Sequence, residues 1–415
     1  MKTRVPRFSP SFSVVELGAA LKALAVGDDR GKVEAFEHAF ARYIGVKHAV
    51  MVGSARMGAY LVMKGWGLEP GDEVMLPGFT YFSIPSILLP LGIRPVFVDV
   101  DPGTFLMDPE DFERKLTGRT RVVVPTHLYG FPCAMDPILK AAWGAGVKVL
   151  EDCAQATGAR YHGKRVGSFG DAAYYTFGLT KNITTLKGGM VTTDDDDLAE
   201  FLHREMARRD RTPLEPLVKE LAVGVAMMAV TDPRVYPFTL HPVVRRLHGW
   251  TGRDILHDLF EEAPVLYEEE PGWFRTSNAR AVQAAVGLVQ LSRIDRLNGM
   301  RTAHGRFLLE HLSHVSGLEV PRFVSGAEPI FMSFPIRVSD PGAVAKRLLD
   351  RGIDSTRGYM SDCSRLPILQ GKVTGECPHA AEVERQILHI PVHPNLTRRD
   401  LNHVAEAVRQ AVLHG

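Results

Sequence analysis

From about residue 46 to residue 200, short β-branched runs alternate with longer stretches of helical period, the pattern of a mostly parallel sheet covered by helices. The strand candidates are EVMLP (73–77), RPVFVDV (94–100), RVVVPTHL (121–128), VKVLEDC (147–153), AAYYTF (172–177) and GGMVTT (188–193). Each is bounded by turn residues such as Pro70 with Gly71 or Gly170 with Asp171. The segments ALKAL, YLVMKGW and MDPILKAAWGAG supply helices. From about 205 to 272 the alternation stops, and VKELAVGVAMMAV, HPVVRRLHG and DILHDLF read as two or three apolar helices separated by proline-containing turns, an insertion. A long helical period follows over 279–312, closed by Gly317 and Pro321. IFMSFPIRV, a helix near AVAKRLLDRG and a last helix after Thr397 make a smaller α+β unit. The predicted fold is α/β. A large doubly wound, mostly parallel sheet domain spans 1–272, including the insertion, and a small C-terminal α+β domain spans 273–415.

Charge and composition narrow the function. The chain of 415 residues carries 49 Lys and Arg against 48 Asp and Glu, so bulk charge holds no nucleic acid. With 45% apolar residues it can bury large cores. No apolar run reaches the ~18 residues a bilayer span needs, and MKTRVPRFSPSF lacks a signal-peptide core, which together predict a cytoplasmic protein. Cys133, Cys153, Cys363 and Cys377 are too scattered for a disulfide framework and are expected as reduced thiols. His389 and His393 suggest a metal pair, but Pro391 breaks the helix on which they would share a face, and no metal site is predicted.

Candidate chemistry comes from order along the chain. Asp152 ends a strand in VLEDCAQA, Lys181 follows 29 residues later in TFGLTKN, and Gly53, Ser54 and Ala55 occupy the first strand-to-helix turn. Taken singly, an aspartate after a strand reads as a helix cap and a lysine as a surface charge. Together they offer what pyridoxal phosphate chemistry needs: an amine for the Schiff base, a carboxylate for the pyridine nitrogen, and helix N-terminal donors for the phosphate. In open α/β sheets such groups meet at the carboxyl ends of the strands.

The chain resembles the DegT/StrS family of pyridoxal-phosphate sugar aminotransferases, of the aspartate-aminotransferase fold type. The resemblance is carried by FEHAFARYIGVKHAV (36–50), PGDEVMLPGFTYFS (70–83), PVFVDVDPGTFLMDP (95–109), PTHLYGFPCAMD (125–136), LEDCAQATGARYHGKRVGSFGDAAYYTF (150–177), TKN (180–182), QAAVGLVQL (283–291) and HIPVHPNLT (389–397). It implies pyridoxal 5'-phosphate as cofactor, with Lys181 as the Schiff-base lysine and Asp152 as partner of the ring nitrogen. It also implies Gln155 beside the ring, Tyr81 stacked on it, and Ser54, Ala55 and Thr176 at the phosphate. By residue type alone, Tyr81 also reads as a core aromatic, Thr176 as a strand residue and Gln155 as a polar helix residue. His162, Arg165 and Ser168 fall in a Gly-rich hairpin or loop and receive no role.

The implied activity is transfer of an amino group from an amino acid, glutamate or glutamine, to a keto-sugar, nucleotide-linked, by a homodimer. Two other readings stand beside it: a sugar dehydratase of the same family, against which Lys181 argues, and a catalytically silent regulatory subunit. The chain departs from the family pattern at Lys187, at HREMARRDRTP (203–213) and at RTSNARAV (275–282). These departures bear on substrate recognition. The insertion reads as a core helix, a subunit interface or a membrane contact, and its Arg245, Arg246 and Arg253 are expected to meet acceptor phosphates.

Overall fold

A computed structural model describes residues 4–251 and 264–413 of the chain. All six marked strand candidates are strands, and His48–Val52 adds a seventh at the sheet edge. We number them β1 (His48–Val52), β2 (Glu73–Pro77), β3 (Arg94–Val98), β4 (Thr120–Val123), β5 (Lys148–Asp152), β6 (Ala172–Thr176) and β7 (Gly189–Thr193). Their spatial order is β1-β7-β6-β5-β4-β2-β3. The five strands from β3 to β6 run parallel, and β7 is antiparallel to both β6 and β1. The run of β1 therefore matches that of the parallel set, and its carboxyl end lies at the same edge as theirs. Strands β2, β4 and β5 are buried almost throughout, which is why they read as continuous apolar runs.

The helix Val14–Val26 opens with a capping box, in which Ser13 accepts at the first turn and Glu16 reaches back to the Ser13 backbone. It packs, with Arg30–Ile44, on the long helix Ala281–Leu312, which also meets the last helix, Arg398–Leu413. A second, antiparallel sheet is built from β8 (Leu318–Glu319), β9 (Phe334–Val338) and β10 (Ile387–Ile390), in the order β8-β9-β10. Two short pairings tie this C-terminal part to the large sheet. Ala327–Glu328 pairs with Arg160–Tyr161, and Ser361–Asp362 pairs with Phe79–Thr80. Residues 160–165 form the expected hairpin, with φ of 47° at His162 and 78° at Gly163.

The insertion contains the helices Leu214–Val230 and Leu240–Thr251, and the third helix candidate, DILHDLF, lies outside the described residues. Leu217 and Leu221 join Phe12, Leu186, Val282 and Val286 in one apolar cluster, so the first of these helices is packed against its own chain. Among the described residues no helix is long and apolar enough to cross a membrane.

Candidate active site

The register of the sheet explains why distant sequence positions meet. Gly189 pairs with Val52 on one side and Thr176 on the other, and Asp152 pairs with Tyr174. The turn after β1, the end of β6 and the end of β5 are thereby aligned along one edge. At this edge lies a cavity of about 440 Å³, and Ser54, Ala55, Tyr81, Asp152, Gln155, Thr176 and Lys181 all line it. The sheet and its loops thus bring together all seven residues that the resemblance implies for the cofactor.

Ser54 is the N-cap of the helix Ala55–Gly65, with extended backbone, and its Oγ accepts the Met57 N–H at 3.2 Å. The serine proton stays available to a ligand, as do the amide donors of the first turn. Gly189 must be glycine here, since a Cβ would stand 2.8 Å from the Ser54 carbonyl carbon and 2.9 Å from the Ala55 nitrogen. That close approach presses β7 against the helix N-terminus.

Asp152 is buried, and its Oδ1 accepts the Ala154 N–H at 2.9 Å. Burial raises its pKa, while the Ala154 amide, the Tyr174 hydroxyl and the Lys181 charge pull it down. Among the described residues no cation stands within ion-pairing distance of its carboxylate. Lys181 sits in the loop between β6 and β7, which is pinned by its neighbour Asn182, whose Nδ2 donates to the Thr157 carbonyl at 2.7 Å. Burial lowers the Lys181 pKa and the Asp152 charge opposes that shift. A lysine with a depressed pKa offers a neutral amine, the nucleophilic and basic form. Gln155 is held from two sides, its Oε1 accepting the Tyr129 N–H at 3.1 Å and its Nε2 lying 3.9 Å from the Met360 Sδ.

Several cavity residues received no cofactor role from the sequence. Tyr129 is held at φ 60°, a strained position for a non-glycine residue, and its ring packs edge-on against His389 at 4.7 Å. The segment HLYG that contains it was visible, but nothing in it marks a cavity wall. Arg301 lies on the long helix, buried, with its guanidinium bonded to Ser11 Oγ at 2.7 Å and Asn298 Oδ1 at 3.4 Å. His389 Nδ1 is 2.6 Å from Ser333 Oγ, and His393 Nε2 donates to the Pro6 carbonyl at 3.2 Å. Burial pushes both histidines down to about 3.

The expected arginine contacts are a correction. Arg245 and Arg246 do not line the cavity, and Arg253 lies outside the described residues. Arg245 instead stands on the surface, 3.8 Å from Asp350, with both side chains more than half exposed, so the pair adds little. The insertion meets the cavity through Met227, Thr231, Tyr236 and Leu240.

Near the site, His127, Glu151 and Cys153 gather three metal-ligating atoms, all buried. Their hydrogen bonds are already committed: the Cys133 N–H donates to His127 Nδ1, so Nε2–H faces Glu151, whose oxygens also accept from Gly167, Phe169 and Gly170. The cluster braces the loop after β5.

The donor set fits one particular cofactor. A buried carboxylate with no ion-pair partner among the described residues, a lysine with a lowered pKa and a helix N-terminus face a cavity in the size range of cofactor sites. They answer the ring nitrogen, the aldehyde and the phosphate of pyridoxal 5'-phosphate. Fold and site together thus define a pyridoxal-phosphate-dependent transferase. Residues 18–209 and 268–409 match the model of the DegT/DnrJ/EryC1/StrS aminotransferase family, and the chain belongs to that family. It is similar to GDP-perosamine synthase of Caulobacter vibrioides, 31% identical over 384 residues, covering 91% of this chain and 89% of that one. To dTDP-3-amino-3,4,6-trideoxy-alpha-D-glucose transaminase of Streptomyces venezuelae it is 30% identical, covering 91% and 86%. The crystal structure of the aminotransferase TlmJ from Streptoalloteichus hindustanus superposes with a TM-score of 0.78 at 26% identity, covering 99% of each chain. The chain is therefore a pyridoxal-phosphate-dependent aminotransferase.

Proposed function

We propose that the enzyme moves an amino group from glutamate or glutamine to a keto-sugar carried on a nucleotide. The convergence of Lys181, Asp152 and the Ser54 helix N-terminus on one cavity carries this reading, supported by relatives named for GDP- and dTDP-linked amino sugars. When bound, the cofactor supplies an electron sink for the carbanion formed at the amino-bearing carbon. Lys181 Nζ would take the proton from the donor's amino-bearing carbon and pass it on to a different carbon rather than back, a role its lowered pKa suits. Asp152 would keep the ring nitrogen protonated, Gln155 and Tyr81 would flank the ring, and Ser54, Ala55 and Thr176 would hold the phosphate. The working unit in this reading is a homodimer in the cytoplasm, where the four buried, unpaired cysteines stay reduced.

The test uses the cofactor-loaded enzyme. Glutamate or glutamine should shift its visible absorbance to the amino form, and a nucleotide-linked keto-sugar should restore it with an amino sugar appearing by mass spectrometry. Failure of every nucleotide-linked keto-sugar to restore the absorbance would overturn the acceptor assignment. Light scattering should give twice the chain mass, and an active monomer would refute the dimer.

A further inference from the structure

Arg301 belongs to the long helix Ala281–Leu312, and its side chain, 5% exposed, stands in the wall of the cavity that holds Lys181. A charge taken out of water is costly unless an opposite charge meets it. The partners of Arg301 are neutral. Its Nη2 donates to Ser11 Oγ at 2.7 Å and its Nη1 to Asn298 Oδ1 at 3.4 Å, which leaves three of the five guanidinium N–H donors unused among the described residues. Burial alone lowers its pKa, to about 10, so it is charged at neutral pH, and no carboxylate among the described residues forms an ion pair with it. His304 and His393 nearby do not answer the charge, since burial first and the Arg301 cation after it keep both neutral.

The other cations of the cavity are engaged. Arg7 Nη2 lies 2.7 Å from Asp354 Oδ1, and Arg56 donates to the Tyr267 hydroxyl at 3.1 Å and lies over the Trp273 ring. Arg301 is also tied to the loop that delivers Lys181. Asn298 Oδ1 accepts from Arg301 Nη1 at 3.4 Å and from Asn182 Nδ2 at 3.3 Å, and Asn182 follows Lys181 in the chain. The Thr157 carbonyl accepts from Asn182 at 2.7 Å and from Asn298 at 3.0 Å, which fixes the two amides against each other. The guanidinium is thereby held in register with the lysine loop.

We infer that Arg301 anchors a carboxylate of the amino donor, and that the Asn182–Asn298 bridge sets where that carboxylate lies relative to Lys181. The inference rests on the glutamate or glutamine reading above. An amino acid carries a carboxylate on the same carbon that gives up its proton, so an anion site fixed to the lysine loop orients that carbon. The acceptor's diphosphate is the competing anion, but the sugar ring separates it from the keto carbon and carries it away from Lys181. A buried guanidinium suits a small anion that enters whole. It also offers the planar fork that matches a carboxylate. The cation is a cost to the empty protein that the bound donor offsets, a pattern expected of functional residues.

The experiment compares the wild type with Arg301→Met, similar in length but uncharged, and with Arg301→Lys, which keeps the charge without the fork. In the cofactor-loaded enzyme, Arg301→Met should lower kcat/KM of the donor half-reaction about 10- to 100-fold, the loss of a hydrogen bond between charged groups. Arg301→Lys should lower it at least about threefold, and it carries the same test where Arg301→Met does not fold. Equal losses with glutamate and glutamine would assign the α-carboxylate, and a loss confined to glutamate the side-chain carboxylate; either supports the inference. Glutarate, which has two carboxylates and no amine, should bind the loaded wild type about 10-fold more tightly than the loaded Arg301→Met variant. The acceptor half-reaction, started from enzyme loaded with pyridoxamine phosphate, should stay within about twofold, as should the Kd for pyridoxal phosphate. Removal of an unbalanced buried cation should leave the Tm of the cofactor-free protein unchanged or raised. Unchanged donor kinetics would overturn the inference and leave the amino-acid reading standing. An equal or exclusive fall in the acceptor half-reaction, weaker cofactor binding or a lowered Tm would overturn it too, assigning Arg301 to the diphosphate, the cofactor or the fold. A wild type that neither amino acid converts to the amino form would overturn the donor reading and this inference with it.

Discussion

In the proposed site Ser54 has two roles that two measurements on one substitution tell apart. Its Oγ accepts the Met57 N–H at 3.2 Å as the N-cap of the helix Ala55–Gly65, and its own proton remains free to donate to a phosphate. Ser54→Ala removes both. Loss of an N-cap costs about 1 kcal/mol, within a range of roughly 0.5 to 2. For a chain of this length that is a fall in Tm of about 1 to 2 °C in the cofactor-free protein, below the shift seen in smaller domains. The hydroxyl-to-phosphate bond is charge-assisted, and its loss should cost about 1.5 to 3 kcal/mol more, which weakens cofactor binding about 10- to 100-fold. Ser54→Thr keeps the oxygen and should retain both properties. Calorimetric melting of the cofactor-free protein reads the first effect, and titration with pyridoxal phosphate reads the second. An unchanged cofactor Kd with a lowered Tm would show Ser54 to be a cap only, and would refute its place at the phosphate.

The remaining predictions address the reacting groups and the acid limb. Lys181→Ala should abolish transamination while circular dichroism stays that of the wild type, and measurable turnover by the purified variant would remove Lys181 from its role. Asp152→Asn should keep the Ala154 contact but leave the ring nitrogen without a buried counter-charge, lowering kcat about 100- to 1,000-fold, and an unchanged kcat with cofactor bound would contradict that. His389 and His393 are held near 3, below the roughly 6.5 of an unfolded histidine, so the unfolded chain binds their protons first. Their contribution is complete above about pH 6.5 and is lost as pH falls toward 3. Between pH 7 and 5.5 each should remove about 1 kcal/mol of stability, read by urea unfolding at the two pH values. Replacing either by asparagine should flatten that dependence, and an unaltered slope would refute the assignment.

The site legible in the sequence was the part built by local connection. Each strand of a βα unit delivers its last residues to the same edge, so Asp152 at the end of β5 and Ser54 after β1 declare their neighbourhood through strand pattern and spacing alone, whereas Thr176 at the end of β6 was singled out only by the family resemblance. Lys181 follows from the same logic, one short loop beyond β6. The apolar period of the segment after residue 205 likewise announced helices, and Leu217 and Leu221 do face a core. What no period could reveal was which side chains from remote segments would close the cavity. Arg7, Tyr236, Arg301, Asp354 and His389 come from five separate stretches of chain, with no common motif or spacing. Their meeting depends on how the N-terminal arm, the insertion and the C-terminal sheet pack over the strand ends. The arginines of the insertion misled for the same reason: charge along a helix tells which residues prefer water, and only packing decided that Met227 and Leu240 turn inward while Arg245 stays at the surface.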